Sequence, residues 1–274
     1  MWGCFPIYWA LLNHVNPSEV LVHRMLWSVP VLFLLVYSKP SWRMNFKESL
    51  SSKKELVFLF ITAILITINW GGYILAVNLG RVVEASMGYF LSPVINMIGG
   101  YLFFHERISK LKQLAVLFAT VGALYYVFSG DSFPWLGFLV GFTFSAYGIA
   151  RKAMSSSAVP GLYIETLILL PFFLVFSIWF YANFDIAFFN VDIPTDILLF
   201  LAGAVTVVPL ALFNAGAKLL PMTTVGILFL ITPTLQFLVG YYLQNEAVNT
   251  NQLLGFVGVW TGLIMYSYGL IKEK

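Results

Sequence analysis

Charge is what this 274-residue sequence has least of. Only 10% of its residues are Asp, Glu, Lys or Arg, while 60% are apolar. A soluble domain carries about a quarter charged residues, so 15 basic and 12 acidic side chains cannot cover a water-facing surface. Most of the exterior must face lipid, in keeping with a mean hydropathy of +0.87. Cysteine is scarcer still. The single Cys4 excludes an intramolecular disulfide framework and a cysteine-rich metal site, and it leaves the redox compartment undetermined. A net charge of +3 is too small to indicate nucleic acid. The sequence also lacks a His-Glu-x-x-His pair, a nucleotide-binding glycine fingerprint, a phosphate loop and a Gly-x-Ser-x-Gly elbow, so neither an enzymatic role nor a cofactor is expected.

What is present is a series of apolar runs. A membrane-crossing helix needs about 20 predominantly apolar residues. The complete spans are approximately Ser18 to Tyr37, Leu56 to Leu79, Val83 to Phe104, Leu111 to Ser129, Pro134 to Met154, Pro160 to Tyr181, Thr195 to Gly216, Met222 to Leu243 and Asn251 to Ile271. Met1 to Leu12 would rise only about 18 Å as a helix and reads as a truncated first span of ten. It has neither the basic start nor the small-residue cleavage site of a signal peptide.

Lys and Arg between these spans fall on alternate sides. One side holds Lys39, Arg43, Lys47, Lys53, Lys54, Arg107, Lys110, Lys112, Arg151, Lys152, Lys218, Lys272 and Lys274, whereas the other holds Arg81 with Asp131, Asp185, Asp192 and Asp196. The positive-inside rule makes the first side, and with it both termini, cytoplasmic. In the long cytoplasmic loop, Trp42, Phe46 and Leu50 recur at fourfold spacing, which suits either a short interfacial helix or an irregular basic loop.

The chain also repeats itself. Displaced by about 140 residues, Leu79 meets Leu219, Pro93 meets Pro233, Gly100 meets Gly240, Glu106 meets Glu246, Gly122 meets Gly262 and Tyr126 meets Tyr266. Residues 1–130 and 131–274 thus read as two five-span repeats. An odd number of spans forces the second repeat into the membrane upside down. The expected fold is an all-α polytopic membrane protein with ten transmembrane helices in two inverted repeats, an arrangement found in many secondary transporters. A duplicated but static scaffold is the competing reading.

Several stretches carry a family resemblance. Trp2-Gly-Cys-Phe-Pro-Ile-Tyr-Trp9, His23-Arg-Met-Leu-Trp-Ser28, Asn69-Trp-Gly-Gly-Tyr73 and Val83-Glu-Ala-Ser-Met-Gly-Tyr-Phe-Leu-Ser-Pro93, with Glu106-Arg107 beyond, resemble the RarD-type permeases of the EamA branch of the drug/metabolite transporters. The resemblance covers essentially the whole chain. It implies a permease of the bacterial inner membrane with a central cavity, with the fifth and tenth helices peripheral, and usually with further residues completing the first helix.

Candidate site residues follow from polar or helix-breaking groups inside spans. Pro93 and Pro233 would free the carbonyls of Tyr89 and Phe229 near the midplane, with the repeat-equivalent Asn96 and Gln236 one turn later. They read either as a solute-contacting ring or as packing kinks. Ionisable groups within spans are functional candidates by default. His23 and Arg24, with Asn69 and Glu84, lie toward the outer face, and Glu165 with Lys218 toward the inner. An Arg24–Glu84 outer gate and a Glu165–Lys218 inner gate compete with interfacial snorkelling. Trp70, Tyr73, Tyr89 and Tyr147 lie deep enough to line a cavity or to pack a core. Glu106 and Glu246 end their spans and read as structural.

The function expected is a permease moving a small organic metabolite or drug-like solute, by resemblance outward. The rival is a membrane-embedded enzyme or lipid-handling protein. Expected partners are the small-molecule substrate, membrane lipids and no nucleic acid, with the proton as candidate coupling ion through Glu165 and a homodimer left open.

Overall fold

A computed structural model describes residues 1–79, 88–128, 135–243 and 250–272. Glu84, Arg81, Asp131 and Glu246 lie outside the described residues, as does the join between the two repeats. Among the described residues all regular structure is helical. The helices are α1 (Phe5–Ala10), α2 (Pro17–Ser38), α3 (Pro40–Ser51), α4 (Lys53–Asn78), α5 (Ser92–Phe104), α6 (Lys110–Phe128), α7 (Trp135–Ala153), α8 (Ala158–Asn183), α9 (Ile193–Leu219), α10 (Met222–Phe229), α11 (Ile231–Leu243) and α12 (Thr250–Lys272). Short 3-10 turns cover Trp2–Cys4 and Gly88–Leu91. Among the described residues six stretches are long and apolar enough to cross a bilayer: Pro17–Ser38, Lys53–Tyr73, Ala158–Asn183, Ile193–Leu219, Met222–Val239 and Leu253–Lys272.

Helix ends follow local chemistry. Asn16 accepts the Ser18 amide at 2.9 Å while Pro17 fills the first position of α2, where no N–H is needed. Asp192 accepts the Thr195 amide at 2.8 Å ahead of α9, and the Thr195 hydrogen bonds hold its carboxyl below the usual range. The basic loop does form a helix, α3. Its expected outward stripe is divided, however: Leu50 is exposed, whereas Phe46 packs its ring 5.2 Å from Tyr163.

Two expected spans are interrupted. Pro233 is the third residue of α11, and the helix expected from Met222 to Leu243 breaks at Leu230. Pro93 is likewise the second residue of α5, preceded by the Gly88–Leu91 turn. A proline ring collides with the carbonyl four residues earlier, and at these two positions the chain starts a new helix, whereas α2, α8 and α9 continue through Pro30, Pro171 and Pro209.

The chain forms two compact units, Ile7–Ile64 with Ala150–Gly216, and Met1–Pro6 with Leu65–Ile149 and Ala217–Lys274. Each unit draws on both halves of the sequence. In the first, α2 packs on α8. Glu19 at the start of α2 accepts the Ala187 amide beyond the end of α8, and His23 meets Tyr181 one turn along, so the pair is antiparallel.

In the second unit α6 and α12 pack closely with reciprocal contacts. A Cβ on Gly122 would lie 2.6 Å from Gly255 O and 2.7 Å from Val259 N; one on Gly262 would lie 2.5 Å from Ala115 O and 2.7 Å from Ala119 N. Gly262, Gly255 and Val259 are the repeat counterparts of Gly122, Ala115 and Ala119. Such contacts are self-complementary, as across a twofold axis. Tyr125 meets Asn251 at one end of the pair and Lys112 meets Tyr266 near the other, so these helices are antiparallel as well. Gly122→Val is expected to destabilise the protein by about 1–3 kcal/mol through overpacking, read as a lowered thermal midpoint in detergent. Val121→Ala, on the exposed face beside it, should leave the midpoint unchanged.

Candidate functional site

The two proline-forced breaks come together within the second unit. Tyr89 in the 3-10 turn before α5 and Phe229 at the end of α10 are repeat counterparts, and their rings lie 5.4 Å apart. Phe144 on α7 joins both, 5.7 Å from Tyr89 and 4.9 Å from Phe229. Trp2 closes a second triangle, 5.5 Å from Phe144 and 5.5 Å from Phe229. Tyr147, fully buried, stacks behind Phe144 at 6.4 Å. Edge-to-face and tilted rings of this kind hold by quadrupole and dispersion contacts that a planar or apolar solute can replace.

Trp2 reaches this cluster because Gly3 touches the Leu235 side chain where any Cβ would collide. The Gln236 amide also donates to Trp2 O at 3.3 Å. Polar groups border the rings. Gly226, one turn before Phe229, faces Pro93 and Asn96. Ser92 Oγ and Asn96 Oδ1, one turn apart on α5, are buried without a hydrogen-bond partner among the described residues. Asn69 has a different role, donating to Val140 O at 2.7 Å and Thr143 Oγ1 at 3.2 Å and so tying α4 to α7. Tyr73 packs against Ala76, Leu136 and Val140 beside Tyr89, while Trp70 is half-buried on α4.

His23, Arg24 and Glu165 lie in the first unit. Trp27 Nε1, a donor only, gives its proton to His23 Nδ1 at 3.0 Å. The His23 proton therefore sits on Nε2, 3.2 Å from the Tyr181 hydroxyl and 4.0 Å from Glu19. Arg24 donates from Nε to Thr206 Oγ1 at 3.0 Å and lies 5.1 Å from the Trp9 ring centroid. Its expected partner Glu84 is outside the described residues.

Glu165 is buried and accepts from the Thr62 hydroxyl at 2.5 Å. Arg151 lies beside it, with Nη1 at 3.5 Å. Lys218 sits half-buried in the last turn of α9, where a cation suits the helix dipole. Arg151 is itself 0% exposed. Its Nη2 donates to Ser157 O at 3.2 Å and Ala158 O at 3.0 Å, and Nη1 to Ser156 Oγ at 3.4 Å. Gly161 leaves the guanidinium room that a Cβ would take. Glu55 extends the network by accepting the amides of Ser155 and Ser156, each at 3.0 Å.

Sequence reasoning missed Arg151, Glu19, Trp2 and Phe144. Arg151 stands beside Lys152 at a span end and was counted as a loop charge; Glu19 sits at the lip of its span. Phe144 is one of 26 phenylalanines and carries no local mark.

Residues 1–128 match the EamA-like transporter family. The chain is 36% identical over 276 residues to the uncharacterized transporter YojE of Bacillus subtilis, covering 100% of this chain and 92% of that one. It is 33% identical to protein RarD of Escherichia coli over 97% of this chain and 90% of that one. The chain is a RarD-type member of the EamA family. A solved crystal structure 14% identical to this EamA protein superposes with a TM-score of 0.72 over 97% of this chain and 93% of that one, a likeness of fold. The relatives are named as transporters or RarD proteins, and with its apolar helices this RarD-type protein is a multi-pass membrane transporter of the drug/metabolite class.

Removing one member of a buried ion pair strands the other, at a cost of about 3–5 kcal/mol, whereas replacing both with neutral groups costs much less. Glu165→Gln and Arg151→Gln are each expected to lower the thermal midpoint markedly, and the double variant to recover most of the loss. Additive losses in the double-mutant cycle would contradict the pairing.

Proposed function

We propose that this protein is a secondary permease of ten helices in two inverted five-helix repeats. It moves a small organic metabolite or drug-like solute outward across the bacterial inner membrane by alternating access, with both termini cytoplasmic. The observation that carries the reading is the ring contact of Tyr89 with Phe229: equivalent residues, at equivalent helix breaks, meet at one point. The reciprocal, antiparallel packing of α6 with α12 supports a pseudo-twofold axis lying across the helices, as inverted repeats require. Discontinuous helices near the midplane are where such folds bind solute. The aromatic cluster, with Ser92 and Asn96 at its border, offers stacking surface and hydrogen-bonding atoms.

Coupling to the proton is assigned to Glu165. Its protonation would leave Arg151 without its counter-ion, so a proton taken up there must shift the Arg151 network and can favour one arrangement of α8 over another.

Saturable flux in proteoliposomes tests the reading, with candidate solutes drawn from an untargeted metabolite comparison of cells with and without the protein. Phe229→Ala is expected to lower flux about tenfold, the loss of roughly 1.4 kcal/mol of aromatic contact. Chemical conversion of the solute without flux would overturn the proposal. The Arg151→Gln, Glu165→Gln double variant should retain counterflow exchange but lose accumulation driven by a pH gradient. Cysteines placed at Lys53 and Asp192 should label from opposite faces of the membrane, and labelling from one face would refute the topology.

A further inference from the structure

The short helix α3 joins two stretches long enough to cross a bilayer, Pro17–Ser38 and Lys53–Tyr73, and so lies at one membrane surface. Its covered face is made by Trp42, Asn45, Phe46 and Ser49. Phe46 packs its ring 5.2 Å from Tyr163, and Asn45 Oδ1 accepts the Ser157 amide at 2.7 Å, which fixes the rotation of α3 about its own axis. Arg43 and Lys47, four residues apart on the opposite face, are both exposed. Lys39 stands one turn earlier, also exposed, with its Nζ 4.4 Å from the Trp42 ring centroid.

Met44, 61% exposed, and Leu50, 43% exposed, flank the two cations on that face. A helix face that is both cationic and apolar suits the headgroup layer, where ammonium and guanidinium groups meet phosphates and the apolar side chains reach the acyl boundary. The nearby acids do not cancel the charge. Glu48 is the one acid of α3, and Glu55, the next along the chain, is turned inward onto the amides of Ser155 and Ser156. Between them stand two more exposed cations, Lys53 and Lys54.

The covered face of α3 leads to Arg151. Ser157 gives its amide proton to Asn45, while its carbonyl accepts from Arg151 Nη2 at 3.2 Å. The same turn offers Ser156 Oγ and Ala158 O to the guanidinium, at 3.4 and 3.0 Å. Ser157 is thus held by α3 through its N–H and by the buried arginine through its C=O.

We infer that α3 rests on anionic phospholipid headgroups through Lys39, Arg43 and Lys47, and that this contact steadies the Ser155–Ala158 turn that holds Arg151. Charge complementarity selects anionic over zwitterionic lipid, and Met44 with Leu50 selects a bilayer over a soluble anion. On the orientation proposed above, the leaflet is the cytoplasmic one. Lipid composition then acts on the Arg151 network from outside the membrane core, through a single hydrogen bond.

The test places the full-length protein in nanodiscs of phosphatidylcholine alone or mixed with phosphatidylglycerol, and reads amide hydrogen exchange by mass spectrometry over α3 and over Ser155–Ala158. No solute flux is involved, so a negative result leaves the permease proposal standing, and a failure to find flux leaves this inference standing. Phosphatidylglycerol is expected to slow exchange of both segments about tenfold, within what three cations near an anionic surface supply. Substituting Lys39→Gln, Arg43→Gln and Lys47→Gln together should abolish the difference between the two lipids. Salt at about 1 M, which shortens the screening length to about 3 Å, should do the same to the unaltered protein and serves as an independent arm should the triple variant fail to fold. Asn45→Ala keeps the cations, so the lipid should still protect α3 and no longer protect Ser155–Ala158. Equal exchange in the two lipids would overturn the inference, as would a lipid effect that survives the triple substitution and the salt. Slowing of exchange by soluble glycerophosphate in phosphatidylcholine nanodiscs would overturn the choice of a lipid surface, and a lipid effect kept at Ser155–Ala158 in Asn45→Ala would overturn the link to Arg151.

Discussion

In hydrocarbon an unpaired backbone amide has no water to turn to, and each one left bare costs several kcal/mol. This constraint governs where the few acidic groups of the protein stand. Glu19 accepts the amides of Ala187 and Phe188, Glu55 those of Ser155 and Ser156, and Glu106 those of Met222 and Thr223. Each carboxylate comes from the first half of the sequence and closes a turn or helix start in the second. A protein with so little charge thus places acidic groups where the chain must reverse direction, which ties distant parts of the sequence together by hydrogen bonds instead of by apolar burial that lipid would match.

The same constraint favours helix breaks at protein-facing positions. Pro93 and Pro233 interrupt their spans beside Gly226 and the rings of Tyr89, Phe144 and Phe229, not against lipid. On the permease reading this is what makes the region adaptable. Helix segments end there, the rings touch by dispersion and quadrupole contacts, and Ser92 and Asn96 hold hydrogen-bonding capacity in reserve. The glycine seam of α6 and α12 is the opposite kind of contact, backbone against backbone, with no side chain available to rearrange. Adaptable and rigid contacts therefore occupy separate helices of one unit.

The Arg151–Glu165 pair adds a charged element to the other unit. Both groups are buried, so each depends on the other and on Thr62, Ser156 and the carbonyls of Ser157 and Ala158. Arg151 is suited to this position by its planar fork, which reaches two carbonyls and a carboxylate together, something a lysine would not do. Gly161 is the matching concession on α8, a missing side chain where the guanidinium lies.

Composition and periodicity by themselves determined that the chain lives in lipid and that it is helical, because these depend on solvent and on local spacing. The series Pro93/Pro233, Gly122/Gly262 and Tyr126/Tyr266 is visible without any structure. So was the candidacy of Tyr89 and Phe229, whereas the loop from Trp42 to Leu50 read equally as a helix or as irregular chain. Only the tertiary structure decided that new helices start at Pro93 and Pro233, that Arg151 lies against Glu165, and that Trp2 and Phe144 complete the aromatic cluster. These outcomes rest on which helix packs against which. A ring or a guanidinium finds its partner across 14 residues for Arg151 and Glu165, or 142 for Trp2 and Phe144, and no local pattern encodes such a meeting.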